Sequence, residues 1–264
     1  MILIDLTGKK ALVTASSKGI GKGIAEVLSI AGADVIIVSR DPNNLSKAAD
    51  DIYKKSGKKV FYIPADLTVR EDLEKIVNEA HKLVGDIDIF IFNTGGPKPG
   101  YFEDINLEDW VYAFRLLIYP AVYLTKAFIE GMKRRGWGRI IYSTSIAVKE
   151  PILGLTLSNS LRISMAGLVR TLAKEYGRYG ITVNAIMPGY IKTERVMEIA
   201  REKARTEGIS IEEFLDSMIN RIPTHRMGIP EEIGYLTAFL ASEHASYING
   251  AIIPIDGGLL NSSL

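Results

Sequence analysis

A glycine-rich stretch at residues 14–21, with the sequence TASSKGIG, has the residue types of a phosphate-binding turn. It follows a short β-branched run and precedes an amphipathic stretch, so it joins a strand to a helix. Glycine at such a turn lets the backbone approach a pyrophosphate, whose charge meets the N–H groups and the positive end of the helix dipole. We therefore expect an anion-binding site here. A second interpretation stays open, in which Gly19 and Gly21 only allow the helix to pack tightly on the strand.

Short β-branched runs alternate with longer amphipathic stretches from residue 9 onward. This alternation is typical of repeated βαβ units, and it predicts a doubly wound α/β fold with a seven-stranded parallel sheet and helices on both faces. A long helix over residues 107–132 has apolar side chains on more than one face, which fits packing against a second subunit or, alternatively, deep burial within a monomer. The predicted strands are residues 10–14, 35–38, 60–63, 87–92, 139–142, 182–186 and 251–255.

The chain has 264 residues, 47% of them hydrophobic, and contains no linker or repeat. We therefore expect one domain over residues 1–264. Within it, residues 193–221 are charged, helical in character and preceded by a Pro-Gly break. This pattern indicates a substrate lid.

Lysine and arginine (32) nearly balance aspartate and glutamate (31), which argues against a nucleic-acid or anionic-membrane binder and favours a small-molecule substrate. No apolar run reaches the roughly eighteen residues that span a membrane, and the N-terminus lacks a signal-peptide core. We therefore expect a cytoplasmic protein. Because the chain has no cysteine and three scattered histidines, no metal site is expected.

Motifs along the whole chain resemble those of the short-chain dehydrogenase/reductase family. The turn at residues 14–21 differs from the family's TGxxxGxG only at Ala15. Residues 93–96 (NTGG) resemble its NNAG, and residues 188–193 (PGYIKT) match its PGxxxT. The resemblance is to the branch of 3-oxoacyl-(acyl-carrier-protein) reductases. It implies a Rossmann-type fold, oxidoreductase activity with a nicotinamide cofactor on a carbonyl or alcohol, and a homotetramer.

The charge near the adenosine ribose indicates which cofactor is bound. An acidic residue at the end of the second strand would bind a 2′-hydroxyl and repel a 2′-phosphate, but Ser39 stands there. Arg40 follows it, and Lys18 adds a second cation where NADP-preferring members of the family keep one, so NADP(H) is favoured over NAD(H). Asp41 opposes this inference, and both cations could instead be solvated surface residues. The resemblance implies as cofactor-binding residues Thr14, Ser16, Ser17, Lys18, Gly19, Ile20, Ser39, Arg40, Asp66, Leu67, Asn93, Thr94, Gly95, Pro188, Gly189, Ile191 and Thr193.

The catalytic positions depart from the family pattern, in which a tyrosine donates the proton, assisted by lysine, serine and an asparagine-held water. Residues 138–145 match the segment that carries the family's serine, which is Ser145. The family's spacing places its tyrosine and lysine at Ser158 and Arg162, which share one helix face, and its asparagine at Leu117. An alcohol is a weaker acid than a phenol by about five pKa units. Ser158 alone is therefore a poor general acid, and an arginine cannot relay a proton at neutral pH.

Several replacement donors remain open. Tyr190 and Tyr142 lie near the expected cleft, although either could be a packing residue. A water held by Ser145 and Ser158, or a substrate that needs little acid assistance, would also serve. Two functions follow. The favoured one is an NADP(H)-dependent oxidoreductase with a non-standard proton donor, and the alternative is a catalytically impaired NADP(H)-binding protein with a regulatory or sensing role.

Overall fold

The computed structural model describes residues 4–262, with the backbone alone at positions 199, 202, 203 and 207. The strands are β1 (Lys10–Thr14), β2 (Asp34–Ser39), β3 (Phe61–Pro64), β4 (Ile89–Phe92), β5 (Gly138–Ser143), β6 (Ile181–Pro188) and β7 (Ile252–Ile255). The α-helices are α1 (Gly19–Ile30), α2 (Pro42–Ser56), α3 (Arg70–Val84), α4 (Leu107–Leu117), α5 (Tyr119–Arg135), α6 (Thr156–Tyr176), α7 (Glu194–Glu207), α8 (Ile211–Ile219) and α9 (Pro230–Ala241). The strands form one parallel sheet in the order β3-β2-β1-β4-β5-β6-β7.

Two apolar clusters cover the two faces of the sheet. In β1, Ala11 and Val13 join the cluster that α1, α2 and α9 cover, whereas Leu12 joins the cluster of α3, α5 and α6. Strands buried on both faces are typical of parallel sheets with helices on each side. The predicted doubly wound α/β fold with a seven-stranded parallel sheet is therefore confirmed. Among the described residues, no helix is long and apolar enough to cross a membrane, and no cluster of three or more histidine, aspartate or glutamate side chains is placed to hold a metal ion.

The prediction of one helix over residues 107–132 is wrong, because the chain forms two helices there. The break falls at Ile118, whose φ of −111° and ψ of −55° depart from regular helix geometry. Pro120 lies in the first turn of α5. Proline has no N–H to bond to the preceding turn, so it is favoured at a helix start and breaks a helix interior. Apolar residues occur on several faces because α5 packs into the core while α4 leaves Val111 and Phe114 exposed.

The strand boundaries differ from the prediction by short extensions or truncations at the ends. The largest truncation is at β4, which begins at Ile89 and not at residue 87. Just before it, the carboxylate of Asp88 accepts a hydrogen bond from the Lys10 N–H at 3.0 Å, and the Asp88 N–H donates to the Lys10 carbonyl at 2.9 Å. Both edge strands, β3 and β7, are short, and each contains a proline, Pro64 and Pro254. Proline lacks the ladder donor and is tolerated mainly at sheet edges.

The start of α9 is held by a bidentate ion pair. Arg226 donates to the two carboxylate oxygens of Glu232 at 2.6 and 2.9 Å, and the Ile229 N–H donates to the same carboxylate at 2.9 Å. The bond from Arg226, followed by that from Ile229, lowers the pKa of Glu232 to about 2. Because the pKa is depressed in the folded state, the stabilisation is present above the ordinary glutamate pKa and is lost as the pH falls from there toward 2.

We expect Glu232→Gln to lower the free energy of unfolding by about 1 kcal/mol at pH 7, because it removes a charge-assisted pair at a partly exposed site. The difference from the wild type should shrink between pH 4.5 and pH 2.5. Urea unfolding at several pH values measures this. The control is Glu231→Gln, which makes the same substitution at the preceding residue. A deficit for Glu232→Gln that does not change with pH would contradict the assignment.

Candidate active site

A cavity of about 550 Å³ opens beside the carboxyl ends of β1, β2 and β4. The strand order reverses between β1 and β4, because β2 and β3 continue to one side and β5 to β7 to the other. Ligands of open α/β sheets bind at such a switch point. Most of the predicted cofactor residues line this cavity: Ser17, Lys18, Gly19, Ile20, Ser39, Arg40, Asp66, Leu67, Asn93, Thr94, Gly95 and Thr193.

The turn before α1 presents an uncapped helix start to this cavity. Lys18 is the N-cap residue, its side chain makes no capping hydrogen bond, and no acidic residue lies in the first turn. The first N–H groups of a helix have no partner within the helix, and their partial positive charge favours a bound anion. Gly19 has a φ of +57°, which favours glycine, and a Cβ on Gly21 would lie only 2.8 Å from the Ser16 Cα. Gly21 therefore allows close packing of the helix, while the uncapped turn stays open to an anion. Anion binding and close packing are thus compatible interpretations of these glycines.

Ala15 is the one residue of the turn that departs from the family motif, and its backbone is left-handed, with a φ of 45°. This conformation costs a non-glycine residue roughly 1–3 kcal/mol. The Ala15 carbonyl accepts a hydrogen bond from the Asn93 Nδ2 at 3.2 Å, which helps to hold the turn in place. The turn thus keeps the shape that glycine would adopt more easily.

Thr14 and Ser16 lie behind the turn and do not line the cavity. The Thr14 hydroxyl donates to the Asn93 carbonyl at 2.6 Å and accepts from the Asn93 N–H at 2.9 Å. The Ser16 hydroxyl donates to the Val13 carbonyl at 2.7 Å and accepts from the Val38 N–H at 3.0 Å. Both side chains are fully buried, so they fix the ends of β1, β2 and β4 relative to one another. A direct contact of either hydroxyl with a cofactor stays a prediction.

Pro188, Gly189 and Ile191 also lie outside the cavity lining, at the end of β6 and just beyond it. Ile191 forms a parallel bridge with Gly228, which anchors the chain immediately before α7. Thr193 then caps α7, since its hydroxyl accepts from the Val196 N–H at 3.3 Å. The motif at residues 188–193 therefore lies next to the cavity, and only its last residue, Thr193, is part of the lining.

The two cations that favoured NADP(H) in the sequence, Lys18 and Arg40, line the cavity. Lys18 forms an ion pair with Glu194 at 3.2 Å, and Arg40 lies 4.0 Å from Asp66. Asp41, which opposed the choice of NADP(H) in the sequence, caps α2 by accepting from the backbone N–H groups of Asn43 and Asn44. The Asp41 carboxylate thus stabilises the start of α2.

Ser145 and Arg162 lie at the carboxyl edge of the sheet, and neither lines the cavity, although Arg162 contacts a residue that does. Ser145 follows β5, and its hydroxyl oxygen accepts from the Ala147 N–H at 3.2 Å, which leaves the hydroxyl proton for another partner. Arg162 on α6 donates to the Thr144 carbonyl at 3.3 Å and to the carbonyl of Gly95, a cavity-lining residue, at 3.2 Å. Arg162 therefore connects the segments that follow β4 and β5. Ser158, one turn earlier on α6, is 8% exposed.

Burial lowers the pKa of Arg162 to about 10, and no charged neighbour contributes to the shift. Arg162 as a whole is 8% exposed, and its guanidinium remains protonated at neutral pH. Its charge is balanced by carbonyl dipoles, so it is available to stabilise a negative charge that develops beside it.

Tyr142 is excluded as the replacement donor by its place in the core. It is fully buried, its hydroxyl bonds to that of Thr125 at 2.7 Å, and its ring packs edge-on against Phe92. Burial raises the pKa of the phenol, which opposes ionisation. Leu117 is 2% exposed and offers no polar atom. Tyr190 lies beside a separate, smaller cavity that Thr224 and Asp256 also line.

The sequence did not single out several residues that line the main cavity. Tyr112 and Leu116 come from one face of α4, and Glu194, Arg195 and Glu198 come from the start of α7. The i, i+4 spacing of the two pairs, 112 with 116 and 194 with 198, was visible in the sequence. These helix faces line the cavity because of how α4 and α7 pack against the rest of the protein, which the spacing alone does not indicate.

Comparisons with known proteins show which family the chain belongs to. A family model described as enoyl-(acyl carrier protein) reductase matches residues 14–260. A 3-oxoacyl-(acyl-carrier-protein) reductase of Aquifex aeolicus is 32% identical over 256 residues, covering 97% of this chain and 99% of that relative. An oxidoreductase of Salmonella typhimurium is 36% identical over 256 residues, covering 96% and 95%. The solved structure of L-sorbose reductase from Gluconobacter frateurii, complexed with NADPH and L-sorbose, matches with a TM-score of 0.94 at 31% identity, covering 99% of this chain and all of the other.

The chain therefore belongs to the short-chain dehydrogenase/reductase family. The expected similarity to its 3-oxoacyl-(acyl-carrier-protein) reductase branch is confirmed.

Proposed function

We propose that the protein is an NADP(H)-dependent oxidoreductase that transfers hydride between the nicotinamide and a carbonyl or alcohol substrate, with a non-standard proton donor. The observation that carries the proposal is the uncapped start of α1, open to a cavity that Lys18 and Arg40 line. The NADPH held by the similar L-sorbose reductase supports the choice of cofactor.

The residues of the cavity fit this dinucleotide. The backbone N–H groups of residues 17–20 suit the pyrophosphate, and Lys18 and Arg40 suit the 2′-phosphate. Asp66 and Leu67 suit the adenine end, and the cavity continues past Gly95, where a Cβ would meet only open space. The Thr94 hydroxyl oxygen is buried and has no hydrogen-bond partner among the described residues. It is therefore a further candidate donor toward the ribose. When bound, the cofactor supplies or accepts the hydride.

The chain's own groups then stabilise charge on the substrate oxygen. Ser145 keeps its hydroxyl proton for that oxygen, and the nearby Arg162 cation lowers the energy of negative charge developing there. Because the Ser158 alcohol lacks the acidity of a phenol, we propose that the proton comes from bulk solvent and reaches the substrate oxygen through a water that Ser145 and Ser158 hold.

Ser145→Ala is expected to lower kcat by about 10²–10³-fold, the usual loss when one oxyanion donor is removed. The affinity for NADPH should stay within twofold, because the cofactor contacts proposed above lie elsewhere. NADPH oxidation with a panel of 3-oxoacyl thioesters, ketoses and simple ketones measures turnover, and calorimetry measures binding. The matched control is Ser160→Ala, which removes an exposed hydroxyl from α6. Equal losses in both variants would contradict the role of Ser145.

A second candidate function is a catalytically impaired NADP(H)-binding protein with a regulatory or sensing role. It is favoured by Ser158 and Leu117, which replace the tyrosine and asparagine of the family's proton pathway. NADPH binding by the wild type without turnover of any member of the panel would select this candidate.

We also propose that the chain is a single cytoplasmic domain that assembles as a homotetramer, with residues 193–221 as a lid over a small-molecule substrate. Of the expected span 1–264, residues 1–3 and 263–264 lie outside the described part. The apolar side chains of Val111 and Phe114 on α4 and Ile163 on α6 are about half exposed, and they support an interface there. A monomer in light scattering would contradict the assembly.

A further inference from the structure

The charged residues that line the cavity are arranged in pairs. Lys18 pairs with Glu194 at 3.2 Å, Arg40 lies 4.0 Å from Asp66, and Arg195 lies 3.9 Å from Glu198. Both cations assigned to the 2′-phosphate therefore face a carboxylate of the protein before any cofactor binds. A phosphate that binds these cations must compete with those carboxylates.

Unlike Asp66, Glu194 belongs to residues 193–221, the segment proposed as a lid. It is the first residue of α7, and α7 starts directly against the phosphate-binding turn, since a Cβ on Gly19 would lie 3.4 Å from the Thr193 Cγ2. The pair between Lys18 and Glu194 thus joins the turn to residues 193–221. The two side chains are 60% and 73% exposed, so the pair is weak and exchanges readily with other ions.

The 2′-phosphate of NADP(H) is a stronger partner for Lys18 than a carboxylate. A phosphate monoester carries about 1.5–2 negative charges at neutral pH and three acceptor oxygens. NAD(H) has a neutral hydroxyl at the same place, so its binding does not require Lys18 to leave Glu194. The protein carboxylate therefore weakens the binding of one cofactor and leaves that of the other nearly unaffected.

We propose that Glu194 is a displaceable counter-ion for Lys18 and thereby a determinant of the selectivity between NADP(H) and NAD(H). The inference rests on the proposed binding of NADP(H). It predicts that removing the Glu194 charge raises the affinity for NADP⁺ specifically, and that this gain requires Lys18.

Calorimetric titration of NADP⁺ and NAD⁺ into the wild type, Glu194→Gln, Lys18→Met and the double variant at one ionic strength tests the proposal. We expect Glu194→Gln to tighten NADP⁺ binding by about 2–5-fold and NAD⁺ binding by less than twofold, as for one exposed charge interaction. In the Lys18→Met background, Glu194→Gln should no longer change the ratio of the two affinities. The matched control is Glu74→Gln, which removes an exposed carboxylate that pairs with Arg70 outside the cavity lining. This variant should not change the ratio.

Binding of NADP⁺ by the wild type with no change of the ratio in Glu194→Gln would overturn this inference and leave the proposed function intact. A change that persists without Lys18 would overturn it as well. Absence of binding by all the variants and the wild type would remove the proposed function, and with it the inference.

Discussion

A protein carrying Ser158→Tyr together with Arg162→Lys is expected to reduce carbonyl substrates about 10²–10⁴-fold faster than the wild type, the usual contribution of a positioned general acid. Both residues lie on the first turns of α6, and Arg162 reaches the chain just before Ser145. The introduced phenol is a stronger acid than the Ser158 alcohol by about five pKa units, and the introduced ammonium beside it lowers the phenol pKa further. Steady-state kinetics with NADPH and the panel of ketones and 3-oxoacyl thioesters measures the gain.

Two single variants separate the contributions. Arg162→Lys alone keeps the charge but adds no acid, so it should give little gain. Ser158→Ala removes the hydroxyl, and its effect reports how much that group now contributes. Calorimetry with NADPH establishes that each variant still binds the cofactor. A double variant that binds NADPH as the wild type does, yet turns over no faster, would place Ser158 outside the proton pathway.

The combined variant Lys18→Met with Arg40→Ser is expected to weaken NADP(H) binding by about 10²–10⁴-fold. Each charge-assisted hydrogen bond to phosphate contributes roughly 1.5–3 kcal/mol, and about 1.4 kcal/mol corresponds to a factor of ten. NAD(H) lacks the 2′-phosphate, so its affinity should change by only a few fold. Competition binding of the two cofactors at low and high salt measures both effects, and the NADP(H) preference of the wild type should decrease as salt rises.

The control for this variant removes the same number of positive charges elsewhere. Lys22 pairs with Asp51 and Arg70 pairs with Glu74, both outside the cavity lining. Lys22→Met with Arg70→Gln should leave the ratio of the two affinities unchanged. If Lys18→Met with Arg40→Ser weakened the binding of NADP(H) and NAD(H) equally, Lys18 and Arg40 would not be the residues that bind the 2′-phosphate.

The sequence predicted the fold well because its main signals are local. The β-branched run of β1 was placed at the bounds that the structure has, and the turn before α1 follows from its glycines. Pro120 was also a local signal, and it marked the helix break that apolar content alone did not indicate.

The parts of the site that could not be predicted depend on contacts between distant residues. Alternation along β5 puts Ile141 and Tyr142 on opposite faces of the sheet, but the packing of α5 decides that Tyr142 meets Thr125 in the core. In the same way, the pair between Lys18 and Glu194 joins residues far apart in sequence, and only the docking of α7 creates it. Local patterns carry no information about either contact.

The prolines of the two edge strands have a consequence for solubility at high concentration. An open sheet exposes backbone donors and acceptors along its outermost strands, where another molecule can add a strand and begin a fibril. Pro64 and Pro254 interrupt this row of donors, and the four-residue length of each edge strand leaves little room around them. Replacing them would expose two continuous templates for intermolecular β-pairing.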